Sequence, residues 1–193
     1  MHLYIIPGAC SLAVNISLRE VGVAFELIVA EGGAFLAINP KGYVPALRLD
    51  DGQVLTETVA ILQYVADRNP AAGLAPPAGT MERYRLQEWL SFINSELHKA
   101  FSPLFNPAVS ADVRRHAHEH LAKRLGGLQD AIGSRPFLIG QAFTVADAYL
   151  FTVLGWGNEV GIDISRWPHL ALYHASIATR PSVQAALKSE GLA

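Results

Sequence analysis

The chain has 193 residues, 51% of them hydrophobic and 17% charged, so it can bury a sizeable core and is too apolar for a disordered segment. Its formal net charge is −2 and its basic residues are scattered, which excludes the basic footprint of a nucleic-acid or anionic-membrane binder. No apolar run reaches bilayer length, the first residues lack a signal-peptide pattern, and a single cysteine excludes an internal disulfide, so the expected location is cytoplasmic.

Met1 to Val23 opens with a strand-like run at His2 to Ile6, breaks at Pro7-Gly8, and turns helical from Ser11. Cys10 lies at the turn. Unpaired amides at a helix start favour an anion, and that placement lowers a thiol's pKa. Packing is the competing role, since free cysteine behaves as a small buried hydrophobe. Position alone leaves both roles open. The helix is predicted over Ser11 to Val21, with Leu12 and Ile16 inward and Asn15, Arg19 and Glu20 toward water.

Phe25 to Val29 reads as a second strand, completing a β-α-β unit with parallel strands. Ala30 to Ala34 reads as a connection, and Pro40, Gly42 and Pro45 keep the next stretch irregular. Ala46 to Leu49 and Gln53 to Leu55 flank a hairpin turn at Asp50-Asp51-Gly52. Thr56 is the expected cap of a helix whose stripe is Ile61, Leu62, Val65 and Ala66. The order β-α-β then β-β-α is that of a thioredoxin-like domain, predicted over residues 1–69. Residues 70–79, rich in Pro, Gly and Ala, read as a linker, and 80–193 as an all-helical domain.

Met81 to Phe101 is the longest predicted helix, with Leu86, Trp89, Leu90, Ile93 and Leu97 as its apolar stripe. Opposite lie Ser91, Ser95, His98 and Ser102, a polar but weakly charged row that suits either solvent or a polar cleft. A second long helix is predicted over Ala111 to Ile132. Within it only His116 and His120 share a face, so no metal site is expected. Thr144 to Asp147 form a Thr-x-x-Asp capping box, worth about 1 kcal/mol, before an apolar helix. Trp167 to Thr179 and Val183 to Leu187 complete the helices.

Five segments, LYIIPGACSLAVNISLRE, LAINPKGYVPAL, LTETVAILQYVAD, EWLSFINSELHKAFSPLF and FTVADAYLF, occur in the order seen in bacterial, beta-class glutathione S-transferases, and the chain resembles that family along nearly its whole length. The resemblance implies an α/β plus all-α architecture, a homodimer with its cleft between the domains, and glutathione as co-substrate with no metal. Its implied reaction transfers the glutathione thiol to small hydrophobic electrophiles, with thiol-disulfide exchange through Cys10. Cys10 and His98 carry the implied catalytic roles, His98 lying close enough to bond the thiol. Glutathione would be held by Ala9, Cys10, Tyr43, a cis Val44-Pro45 peptide, Glu57, Thr58, Ser91, Ser95, Glu96 and His98, some of them from the partner subunit.

Phe101, Phe105 and Trp156 would wall the electrophile pocket, although Phe105 is expected to pack in the core. The chain departs from the family at Ala30 to Ala34, where the usual longer segment carries a basic residue that contacts glutathione. That departure predicts weaker glutathione binding. The alternative function is a non-catalytic binding or interaction protein on the same fold, which turnover of an aryl halide would distinguish.

Overall fold

A computed structural model describes residues 1–193. Strand β1 (His2–Ile5) runs parallel to β2 (Glu26–Val29), with Leu3 opposite Leu27. On its other side β1 pairs antiparallel with β3 (Ala46–Arg48), which pairs with β4 (Val54–Thr56), giving the order β2-β1-β3-β4. Helix α1 (Ser11–Glu20) is the β1-to-β2 crossover, as the parallel pairing requires.

Ser11 to Leu18 are all buried, Asn15 included, which corrects the expectation that Asn15 faces water. The reason is tertiary. Helix α3 (Thr58–Arg68), helix α7 (Val145–Gly155) and helix α10 (Pro181–Ser189) all pack around α1. Asn15 donates to Glu190 Oε1 at 2.9 Å and to Ser189 Oγ at 3.2 Å, and accepts from Arg19 Nε at 2.9 Å. A polar residue in a helix pattern looks the same whether water or a distant side chain satisfies it.

The segment after β2 differs from its predicted form. Only Ala30 and Glu31 intervene before helix α2 (Gly32–Ile38), a short helix with no side-chain cap. Phe35 on α2 packs against Tyr4, ring centroids 5.6 Å apart, in a small cluster separate from the main core. Thr56 does not cap α3 either. It ends β4, and Glu57 takes the cap position with φ 71° and no side-chain bond to the helix.

Helix α4 (Met81–Phe92) passes through a π-helical segment (Ile93–His98) into α5 (Lys99–Phe105), so the helical run continues beyond Phe101. Helices α6 (Ala111–Ile132), α7, α8 (Gly157–Val160), α9 (Pro168–Ala178) and α10 complete the chain. One continuous apolar core joins the sheet to these helices. At its edge, the Arg83 guanidinium grips the Asp67 carboxylate at 2.7 and 2.8 Å, tying α4 to α3.

The capping box is present as predicted: Thr144 caps α7 and Asp147 reaches back to it. The buried Asp147 carboxyl accepts from the Leu138 N–H (2.8 Å), the Thr144 N–H (2.8 Å), the Thr144 hydroxyl (2.7 Å) and the Tyr173 hydroxyl (2.6 Å). Replacing Asp147 by Ala strands these donors and should cost about 3 kcal/mol, lowering Tm by about 10 °C. Scanning calorimetry showing a drop under about 3 °C would contradict that account.

Candidate active site

Cys10 occupies the cap position of α1, but the site around it is not that of an exposed thiolate. The residue is 8% exposed, and its thiol donates to the Val44 carbonyl at 3.4 Å. Burial pushes the Cys10 thiol above its ordinary pKa, and the Thr58 hydroxyl, the local backbone amide and the Lys99 charge offset this only in part. The expected lowering by the helix start is thereby corrected. A thiol held among apolar groups pays more in desolvation than one helix end returns.

The Val44-Pro45 peptide is cis, and Pro45 is buried beside β3. Next to it stand Glu57 and Thr58. Glu57 is the sole non-glycine residue with positive φ, a conformation that costs on the order of 1–3 kcal/mol. Its carboxylate is exposed and lies 3.6 Å from Lys41 Nζ. Thr58 is buried, with its hydroxyl beside the Cys10 thiol.

His98 does not bond Cys10. Its Nδ1 lies 2.7 Å from the Tyr149 hydroxyl, whose hydrogen is donated to Asn94 Oδ1 at 3.1 Å. Tyr149 has one hydrogen to give, so His98 Nδ1–H donates to the Tyr149 oxygen and Nε2 is left unprotonated. Burial, with the adjacent Lys99 charge, lowers the His98 pKa to about 4, so the ring is neutral near pH 7. Thr58 lies near both the Tyr149 hydroxyl and the Cys10 thiol.

Two surface hollows, of 400 Å³ around Tyr64 and Arg68 and 660 Å³ around Phe25 and Arg180, gather no thiol, histidine or strained backbone. The chemistry therefore points to the Cys10 end of α1.

Residues 8–68 match the family model of the glutathione S-transferase N-terminal domain, and residues 92–181 match that of the C-terminal domain. Over the full length of both chains, the protein is 44% identical to the glutathione S-transferase GstA of Escherichia coli O157:H7. The structure of a sphingomonad glutathione S-transferase complexed with glutathione is 51% identical, with a TM-score of 0.96 and full coverage of both chains. A beta-class enzyme of Sphingomonas chungbukensis matches equally fully, at 50% identity and a TM-score of 0.96. The chain belongs to the glutathione S-transferase family.

Other residues that the motifs of a glutathione S-transferase single out are distributed unevenly. Ala9 is half-buried in the turn before Cys10, and Tyr43 is 74% exposed. Ser91 and Ser95 lie exposed on the α4 side, while Glu96 is drawn away to pair with Arg124 on α6. His98 leaves their row and turns inward, because the π-helical segment changes which residues share a face.

Trp156 gathers the aromatic wall: the His98, Phe101 and Phe105 rings pack edge-on to it, with centroids 4.7, 5.7 and 5.8 Å away. Phe101 is 1% exposed and Phe105 is 49% exposed, so the expectation that Phe105 is the core residue is reversed. It sits at the end of α5, where the helix runs out of covering neighbours. Sequence patterns missed Tyr149, Asn94 and Lys41. Tyr149 had one signal, a phenol inside an otherwise apolar helix, which needs a hydrogen-bond partner when buried.

Two measurements test this electrostatic reading. Alkylation of the single cysteine should keep rising with pH through 9, the ordinary thiol value, rather than levelling off near neutrality as a low-pKa thiol would. Unfolded His98 titrates at about 6.5 and the folded residue near 4, so between those values the unfolded chain binds the extra proton and stability falls as pH falls. Urea unfolding at pH 7, 6 and 5 should show this slope reduced in His98→Gln. The buried His174, also lowered, contributes equally to both proteins and cancels in the difference.

Proposed function

We propose that the protein is a cytoplasmic, homodimeric glutathione transferase that binds glutathione at the Cys10 end of α1 and transfers its thiol to small hydrophobic electrophiles. The observation that carries this reading is the strained Glu57 backbone, held at positive φ beside the cis Val44-Pro45 peptide and Cys10. Strain of that kind persists where binding needs it. The relative solved with glutathione supports the same co-substrate here.

In this reading residues 1–69 bind glutathione, residues 70–79 link, and residues 80–193 supply the electrophile pocket and the dimer contacts. The Val44 peptide pairs with the cysteinyl part of the tripeptide, which competes with the Cys10 thiol for the Val44 carbonyl. The first amides of α3 and the Thr58 hydroxyl take the γ-glutamyl carboxylate, and Glu57 takes its ammonium. Ala9 and Tyr43 flank the tripeptide. Lys41 and Lys99 supply positive charge that the short Ala30 to Ala34 segment lacks. Ser91 and Ser95, exposed on the α4 side, and Glu96 beside them reach the site of the partner subunit.

Because Cys10 rests as a protonated thiol, its S–H can turn from the Val44 carbonyl to the glutathione sulfur. A hydrogen bond to the charged form lowers that sulfur's pKa and raises the thiolate fraction near neutral pH. The thiolate then bonds to the electrophilic carbon as the leaving group departs, with no metal required. Trp156, Phe101 and the exposed Phe105 provide the apolar wall, and neutral His98 orients water or substrate through its free Nε2.

Calorimetric titration of glutathione into the reduced protein should show one site per chain, and an aryl halide should be conjugated. Cys10→Ala should abolish thiol-disulfide exchange and slow conjugation roughly tenfold, the loss expected from one hydrogen bond to a developing anion. Absence of binding would overturn the proposal. Binding without conjugation or exchange would favour a non-catalytic member of the family.

A further inference from the structure

One peptide ties the loop before α1 to the helical half of the chain. Gly8 donates its N–H to Glu190 Oε2 at 2.9 Å, and its carbonyl accepts the Trp156 indole N–H at 2.7 Å. Both polar groups of Gly8 are thus held by side chains more than 140 positions away in sequence. Gly8 has φ +75°, and a Cβ built there would meet the Leu192 methyls at 3.8 Å, so the loop lies against the chain that follows α10.

Glu190, just past α10, is 7% exposed, a costly place for a carboxyl. Its second oxygen accepts from Asn15 Nδ2 at 2.9 Å, so both oxygens are used as an ionised carboxylate uses them. Burial raises its pKa, and Asn15, the Gly8 amide and the Arg19 charge pull it back. A helix end needs no buried carboxylate, because acids there oppose the helix dipole. The contact with Gly8 gives it a purpose.

Gly8 is two residues from Cys10, and the intervening turn is stiff. The Ala9 N–H donates to the Ile6 carbonyl at 3.0 Å, and the Ser11 hydroxyl donates to the same oxygen at 3.2 Å. A displacement of Gly8 is therefore passed to the thiol. Trp156 also packs on His98, Phe101 and Phe105, so the same indole that holds Gly8 stands in the aromatic wall.

We propose that Glu190 is a positioning residue: together with Trp156 it clamps the Gly8 peptide and thereby sets the placement and accessibility of the Cys10 thiol. Its meaning for turnover rests on the glutathione transferase reading. The clamp itself does not.

Cys10 is the only cysteine, so iodoacetamide labelling of the full chain reports on this loop alone. At pH 8, Glu190→Ala should be labelled roughly tenfold faster, the shift in local opening expected when a hydrogen bond to a carboxylate is lost. Glu190→Gln keeps an acceptor for Gly8 while giving up the one for Asn15, and should stay within about threefold of the parent protein. Labelling of a folded Glu190→Ala within about twofold of the parent would overturn the clamp.

Should that variant fail to fold, amide exchange in the unmodified protein decides. A Gly8 N–H protected from exchange is expected, and exchange at the free-peptide rate would overturn the proposal. Aryl-halide turnover on the same samples should fall in kcat for Glu190→Ala and recover in Glu190→Gln. If the parent protein shows no turnover at all, the transferase reading fails while labelling still decides the clamp.

Discussion

Helix α1 has no water-facing stripe over its first eight residues, and the rest of the structure is arranged to make that burial possible. A helix this enclosed must find cover on every side. The sheet and α3 supply it on one side, α7 and α10 on the other. The sheet-bearing and helical parts consequently share one apolar core rather than meeting across a wet seam. Cys10 sits at the start of this enclosed helix, so its surroundings are set by elements drawn from both parts.

That enclosure explains the electrostatics of the site. Burial acts on Cys10 and His98 in opposite senses on the pKa scale but toward the same outcome, because in each case it disfavours the charged form. The site therefore holds a neutral thiol and a neutral imidazole, with the Thr58 and Tyr149 hydroxyls nearby. Fixed charge lies at its rim, in Glu57 with Lys41 and in Lys99. In the proposed function the charged tripeptide lies at this rim and its sulfur at the neutral interior.

Much of the fold was legible because it rests on local rules. The β1-α1-β2 unit, the hairpin at Asp50 to Gly52 and the long α6 helix follow from periodicity and turn chemistry. The Thr144 and Asp147 capping box needs only a three-residue spacing. Helix α2 was not legible, because seven residues beginning with two glycines and lacking a cap carry no helical signature. The π-helical turn at Ile93 to His98 was also hidden, and with it the inward turn of His98. Its residues fit a regular helix pattern, and the meeting of His98 and Asn94 with Tyr149 is a tertiary feature that this pattern does not carry.

By itself the sequence determined the β-α-β and β-β-α order of the first part and, through the motifs that resemble the family, the family to which the chain belongs and the identity of Cys10, Val44-Pro45, Glu57-Thr58 and His98 as the residues to inspect. These depend on composition, spacing and motif, which are properties of the chain as written. Tertiary structure alone decided the protonation state of Cys10, the exchange of roles between Phe101 and Phe105, and the grip of Glu190 and Trp156 on Gly8. Each of those turns on how much water reaches a group and which distant side chain meets it. Desolvation and long-range hydrogen bonds are fixed by the enclosure of α1, and no local pattern encodes them.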